Sequence, residues 1–282
     1  MNKDYIRFPG FKYKALTLSY DDGIRQDKRL ISIMKKNGIK GTFNVNGGTI
    51  SKSFNGEVTG KMSAEEMLEV YDPEYVEVAV HGYKHLSLPH YDIAIAANDV
   101  LKDRSELERI FKRVVKGMAY AFGTYNDEVV SMLRSLGISY ARTVNASESF
   151  LLPDDWLRLR PTCHHSHKSL MEFARRFKEM TFDESVPYWR RKPQLFYVWG
   201  HSYEFETNNN WNVIEEFCEY LGGRDDIWYA TNGEIFDYLT ACDRLEFSID
   251  GTYIRNPSAL TVYIEYLGKR YTIRAGETVA TN

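Results

Sequence analysis

What most limits the folds open to this chain is an alternation that runs from about residue 15 to about residue 240. Short apolar runs of strand length at 16–20, 41–46, 76–80, 117–122, 138–141, 157–159, 195–199 and 227–230 are separated by helical patterns. Leu30, Ile33 and Met34 form an apolar stripe that stops at Asn37-Gly38, a C-terminal cap signal. Ile93, Ala97, Val100, Leu101, Leu107, Ile110, Phe111 and Val114 mark a long helix. Asn126 is placed to cap a helix carrying Val129, Val130, Leu133 and Leu136, and Asn232 to cap one carrying Ile235, Phe236 and Leu239. Strand and helix in strict alternation predict parallel βα units. From about Cys242 the pattern becomes purely β, with alternating runs broken at Asp250-Gly251, Asn256-Pro257 and Leu267-Gly268-Lys269. The expected division is a βα unit over 1–241 and a small antiparallel β appendage over 242–282, with a packing role expected for the appendage.

Two of the strand ends carry chemistry. The first run passes into Asp21-Asp22-Gly23. Neighbouring residues on a straight strand face opposite ways, so two carboxylates reach one cavity only if the chain bends, which Gly23 permits. Carboxylates forced together call for a cation or a shared proton, although Asp-Gly is also an ordinary turn signal. The run at 76–80 ends on His81, and His85 follows four residues later. Imidazole nitrogen and carboxylate oxygen are zinc-type ligands, and barrel folds keep their chemistry at strand ends.

These motifs resemble those of the polysaccharide deacetylases, a carbohydrate esterase family. Ser19-Tyr20-Asp21-Asp22-Gly23 is similar to its first motif, His81-Gly82-Tyr83-Lys84-His85 to its second, and Phe196-Tyr197-Val198-Trp199-Gly200-His201 to its late strand ending in His. The resemblance covers about residues 12–240. It implies a distorted, incomplete β/α barrel, a divalent metal of the zinc type, and hydrolysis of an acetyl group from an N- or O-acetylated sugar. It assigns Asp22, His81 and His85 to the metal, Asp21 to the base and His201 to the acid that protonates the leaving group. Ala119-Tyr120-Ala121-Phe122-Gly123 stands where the third motif lies, with Ala119 in place of the family arginine that orients the base. The backbone N–H of Phe122 matches the oxyanion donor. Asp155-Trp156 resembles the fourth motif, and Trp156 and Trp199 are then expected to wall a pocket for the acetyl methyl; plain core packing is the other reading of each. In the cluster from Pro161 to His167, no carboxylate is spaced to complete a second metal site; either His164 or His165 touches substrate at the rim, or the segment is a solvated loop. Tyr203, Glu204 and Glu206 are placed either to bond sugar hydroxyls or to lie in a solvated loop.

Composition narrows the alternatives. A chain of 282 residues with 43% hydrophobic side chains suits one barrel-sized unit and a small addition. A net charge of −3 without a basic block gives no footprint for nucleic acid or an anionic membrane surface. Three cysteines do not make a disulfide framework, and the first residues lack an apolar signal core, so a cytoplasmic location is expected. Two other functions stay open at this level. Hydrolysis of another C–N bond, of the cyclic amide or formamide type, is implied by the resemblance as a second activity, since some relatives act on such groups, and the missing arginine and Trp199 keep it open. Glycan binding on a decayed barrel is the other, against which the intact Asp21, Asp22, His81, His85 and His201 argue.

Overall fold

The computed structural model describes residues 4–50, 60–187 and 190–281. Two short N-terminal residues form β1 (Ile6–Arg7), and the main sheet follows as β2 (Lys14–Asp21), β3 (Gly41–Val45), β4 (Val76–Val80), β5 (Gly117–Ala119), β6 (Tyr140–Arg142), β7 (Cys163–His164), β8 (Gln194–Gly200) and β9 (Ile227–Tyr229). Its strand order is β6-β5-β4-β3-β2-β8-β7, all parallel, and β9 pairs the first half of β2 while β3 pairs the second half. Beyond one bridge between Arg142 and Leu159, no ladder joins the two ends among the described residues. The sheet is a curled, incomplete β/α barrel, as the sequence predicts.

β2 is the axis of this arrangement. All of its residues are buried, and their alternation sorts them by face. Leu16, Leu18 and Tyr20 join the large core under the surrounding helices. Ala15, Thr17, Ser19 and Asp21 alternate with them. Ala15 joins the second core at the base. Thr17 meets Asn232, and Ser19 and Asp21 both meet Asn44. This face therefore grades from apolar at the base to ionic at the carboxyl end, where parallel barrels place their sites.

The helices are α1 (Asp27–Lys36), α2 (Ala64–Val70), α3 (Ile93–Phe111), α4 (Asp127–Ser135), α5 (Leu170–Glu179), α6 (Tyr203–Thr207), α7 (Asn212–Leu221) and α8 (Asn232–Asp243). α1 ends at Asn37, with Gly38 in the left-handed region (φ 66°), as its cap signal predicts. Asn126 caps α4 by accepting the Val129 N–H at 2.8 Å. The cap of α8 lies one residue earlier than expected. Thr231 and Glu234 form a reciprocal capping box there, and Asn232 instead turns inward to Thr17 and Tyr197. The predicted strand at 157–159 is also corrected. Asp155 accepts the Leu157 N–H and turns Trp156–Arg158 into a short 3₁₀ helix, while strand pairing passes to Cys163–His164.

The tail contributes β10 (Glu246–Phe247), β11 (Tyr253–Arg255), β12 (Val262–Tyr266), β13 (Lys269–Ile273) and β14 (Thr278–Ala280). These do not make one appended sheet. They form two three-stranded antiparallel sheets, β10-β11-β14 and β1-β12-β13, the second of which takes in the N-terminal strand. Ile254, Val262, Ile264 and Ile273 share one hydrophobic cluster with Ala15, Tyr197 and Leu239 of the barrel. Glu265 is buried between Arg7 and Arg191 and accepts the Tyr13 hydroxyl, so the junction is ionic at its centre. Among the described residues no helix is long and apolar enough to cross a membrane.

Candidate functional site

The bend that the two carboxylates require is present. Asp22 has φ 84° and Gly23 φ 62°. A non-glycine residue in that region costs about 1–3 kcal/mol and persists only where its surroundings hold it. Here the Asp22 N–H donates to the Asn44 carbonyl at 2.9 Å, and Lys61 Nζ donates to the Asp22 carbonyl at 2.7 Å. A side chain on Gly23 would come within 3.0 Å of both Val45 and Met67.

The loop after β4 is held from behind by α3. Asp103 accepts the His81 N–H at 2.9 Å, and Asp99 accepts that of Lys84 at 2.9 Å. Burial pushes the Asp103 carboxyl up to about 8, against the pull of its backbone donors. His81 Nδ1 lies 2.9 Å from the Ala119 carbonyl, which can only accept. The proton therefore sits on Nδ1, and Nε2 is bare.

Asp22, His81 and His85 converge. His81 Nε2 is 3.9 Å from Asp22 Oδ1, His85 Nε2 is 4.0 Å from it, and the two nitrogens are 3.2 Å apart. Ligands about 2.0–2.2 Å from a tetrahedral ion stand roughly 3.3 Å from one another; the two imidazole nitrogens stand near that spacing, and Asp22 Oδ1 lies farther from both. The donors suit a zinc-type ion, and the His81–Ala119 bond is the outer support that ligating imidazoles usually have. Burial foremost, and the neighbouring His81 next, pull His85 down to about 4, and a ligating imidazole needs its neutral form.

Asp21 is buried beside this triad. Asn44 Nδ2 donates to its Oδ1 at 2.8 Å and Arg142 Nη2 to its Oδ2 at 2.5 Å. Burial alone would raise Asp21, but Arg142 foremost, then His81 and His201, hold it down at about 2. Arg142 is the residue that sequence reasoning missed. It closes β6 exactly opposite Ala119 in the β5–β6 register, so the guanidinium absent from β5 is carried by the neighbouring strand. Its face stacks on Trp199 at 4.3 Å. The available signal was a cation at the end of a strand-like run.

His201 follows β8 and turns its Nε2 to within 3.9 Å of Asp21 Oδ2. Burial would lower its pKa, but the hydrogen bond to Glu204 and the charges of Asp21 and Asp22 prevail and raise it. Phe122 has φ 58° and an exposed ring 4.5 Å from that of His85.

Three other expected site residues sit differently. Trp156 does not join Trp199 in one pocket: its indole packs on Phe236 of α8, in the cluster at the base. The Asp155 turn is what points it there. His165 is not at a rim, being 2% exposed with its ring stacked between Tyr20 and Phe205. Glu204 does not extend toward solvent as a free sugar-binding group, because its carboxylate is taken up by His164, His165 and His201.

The polysaccharide deacetylase family model matches residues 10–141. No curated protein matches the chain. Among solved structures, a Mycobacterium smegmatis protein assigned to the polysaccharide deacetylases is 15% identical with a TM-score of 0.59, covering 85% of this chain and 94% of its own. A family 4 carbohydrate esterase from Streptomyces lividans, solved with acetate, is 12% identical with a TM-score of 0.50, covering 78% and 93%. A Streptococcus pyogenes deacetylase, also solved with acetate, is 19% identical with a TM-score of 0.42; the match covers 45% of this chain and 55% of that one, so the chain spans about half its length. The polysaccharide deacetylase model thus matches the first half of the barrel, and the solved structures of that kind share its fold.

Proposed function

We propose that the protein is a metal-dependent hydrolase that removes acetyl groups from an N- or O-acetylated sugar or oligosaccharide. One observation carries this reading: a buried, ionised Asp21 lies between the Asp22–His81–His85 triad and His201. Asp22, His81 and His85 would hold the ion. When bound, such an ion supplies Lewis acidity, activating water and polarising the acetyl carbonyl.

The remaining work falls to the chain's own residues. Asp21 takes a proton from the attacking water; Arg142 and Asn44 keep it ionised and fixed for that step. Water adds to the acetyl carbon, the C–N or C–O bond breaks, and acetate leaves. His201 delivers a proton from Nε2 to the departing amine or alcohol. The backbone N–H of Phe122 is proposed as a donor to the oxyanion. Trp199 is proposed as one wall for the acetyl methyl, with its other side occupied by Arg142. Arg142 beside Asp21 also weakens the case for another C–N bond, since one of its two grounds was a base without a guanidinium.

The test is acetate release from a panel of acetylated oligosaccharides, with protein that has been stripped by chelator and with the same protein after zinc is restored. Activity should vanish and return, with about one ion bound per chain. Zinc-loaded protein that releases no acetate from any member refutes the proposal.

A further inference from the structure

Outside the ligand triad, a second group of imidazoles converges on one carboxylate. Glu204, in the first turn of α6, faces His201 Nδ1 with Oε1 at 3.1 Å. Its Oε2 faces His165 Nε2 at 2.9 Å and His164 Nε2 at 3.2 Å. Two arrangements account for such a group. Either His164, His165 and Glu204 ligate a second cation, or the imidazoles donate N–H bonds to an anion.

Proton positions decide between them. A ligating imidazole must carry its proton on the nitrogen away from the metal, and that N–H normally finds an acceptor. His165 Nδ1 is buried and has no partner among the described residues. It occupies the space where a side chain on Gly200 would lie, 2.0 Å from that Cβ position. A proton on Nδ1 would be a stranded buried donor, which costs about 1–3 kcal/mol. His164 Nδ1 accepts the Ser166 backbone N–H at 3.2 Å, so its proton also belongs on Nε2. Both residues therefore point an N–H at Glu204. A carboxylate has about four acceptor positions, enough for three donors. Burial would raise the Glu204 carboxyl, but the bonds from His164, His165 and His201 hold it far below the usual carboxylate range.

We propose that His164 and His165 clasp Glu204 so that its remaining oxygen fixes His201 with Nδ1 protonated and Nε2 facing Asp21. Glu204 is then a positioning residue for His201, and its consequence for turnover rests on the deacetylase reading above. Without the clasp, Glu204 is a long side chain on a five-residue helix with several rotamers open to it.

Nitrogen-15 NMR of the histidine rings in the zinc-loaded full-length protein reads the tautomers directly, whatever the substrate. Neutral His164 and His165 should be protonated on Nε2 and neutral His201 on Nδ1. In Glu204→Ala, His201 should lose that preference. Its kcat on a sugar acetamide should fall roughly 10–100-fold, with less loss on an aryl acetate, whose leaving group needs no acid, and with unchanged zinc content. If Glu204→Ala does not fold, His164→Ala, which alters a partly exposed ring, should show the same changes to a smaller extent. A wild-type His201 protonated on Nε2 when neutral, or a Glu204→Ala protein that keeps the Nδ1 tautomer, overturns the proposal. So does a second zinc equivalent that His164→Ala abolishes. Should no substrate release acetate, the deacetylase reading fails while the tautomer result still decides the clasp.

Discussion

Arg142→Ala tests the assignment of Asp21 as base most sharply. Arg142 is fully buried, its Nη2 is 2.5 Å from Asp21 Oδ2, and its guanidinium covers the face of Trp199. Removing it leaves a buried carboxylate with Asn44 and nearby imidazoles as its neighbours. Breaking a buried pair from one side costs about 3–5 kcal/mol. An independent figure comes from ionisation. Asp21 is held at about 2 against an ordinary 3.8, a gap worth roughly 2–3 kcal/mol. A depressed carboxyl stabilises the fold above its ordinary value, and that contribution is lost as pH falls from about 4 to about 2. In Arg142→Ala, burial should instead push Asp21 upward, so stability at neutral pH drops and the acid-side loss moves to higher pH. Turnover should fall at least 10–100-fold, as for loss of an orienting partner. Denaturant unfolding at neutral and acid pH gives the stability terms, and acetate release gives the rate. Because Ala119 and Arg142 are register partners, adding Ala119→Arg to the Arg142→Ala protein should recover part of both losses. A folded Arg142→Ala protein with wild-type turnover and wild-type acid sensitivity would refute the reasoning.

Further outcomes follow from other parts of the structure. Asp22→Asn should weaken zinc binding, whereas Asp21→Asn should keep zinc and lose roughly a hundredfold to ten-thousandfold in rate; paired metal titration and turnover check this, and the opposite pattern would exchange the roles. Asp27 is fully buried between Ser202, Tyr71 and the Ile24 N–H, and burial raises it to about 7 despite those donors. A carboxyl raised in this way makes the fold less stable as pH climbs from about 4 to about 7. The stability difference between wild type and Asp27→Asn, followed by denaturant melts, should therefore shift in favour of the mutant across that window. Removing residues 242–282 uncovers Ile235, Tyr238 and Leu239 and leaves β1 without its partner, so soluble, folded yield should collapse. A stable truncation that loses affinity only for long glycans would make the tail a binding module instead.

The parts of the site that were legible in the sequence are those that depend on local spacing. Asp21 and Asp22 at a strand end, His81 and His85 four apart, and His201 after an apolar run each announce themselves within ten residues. What was hidden depends on register between strands that are distant in sequence. Arg142 reaches Asp21 across 121 positions, and only the β5–β6 pairing sets it beside Ala119. The His164–His165 pair lacked a nearby carboxylate in the sequence, and α6 supplies Glu204 from about forty positions away. Trp156 stood between a pocket wall and core packing in the sequence, and the Asp155 turn that aims its indole at Phe236 is a matter of hydrogen bonding that spacing does not show. The barrel was read from its alternation. The recruitment of β1 by the tail was not, since a two-residue strand carries no periodicity.

That recruitment sets an order on how the chain can fold. Ile6 pairs with Ile264, and the buried Arg7 waits for Glu265, 258 positions later. During synthesis the rest of the barrel can emerge and collapse while the first strand still has no ladder to join. Ile6 and Phe8, which end with no exposed surface, must stay uncovered for most of translation. Contacts of such sequence separation form slowly, and exposed apolar segments that wait for them are where chains associate wrongly. The base should therefore close only after residues 262–266 have been made, at the end opposite Asp21 and Asp22, and a ribosome-stalled chain ending before residue 262 should display a protease-sensitive N-terminal segment on an otherwise compact barrel.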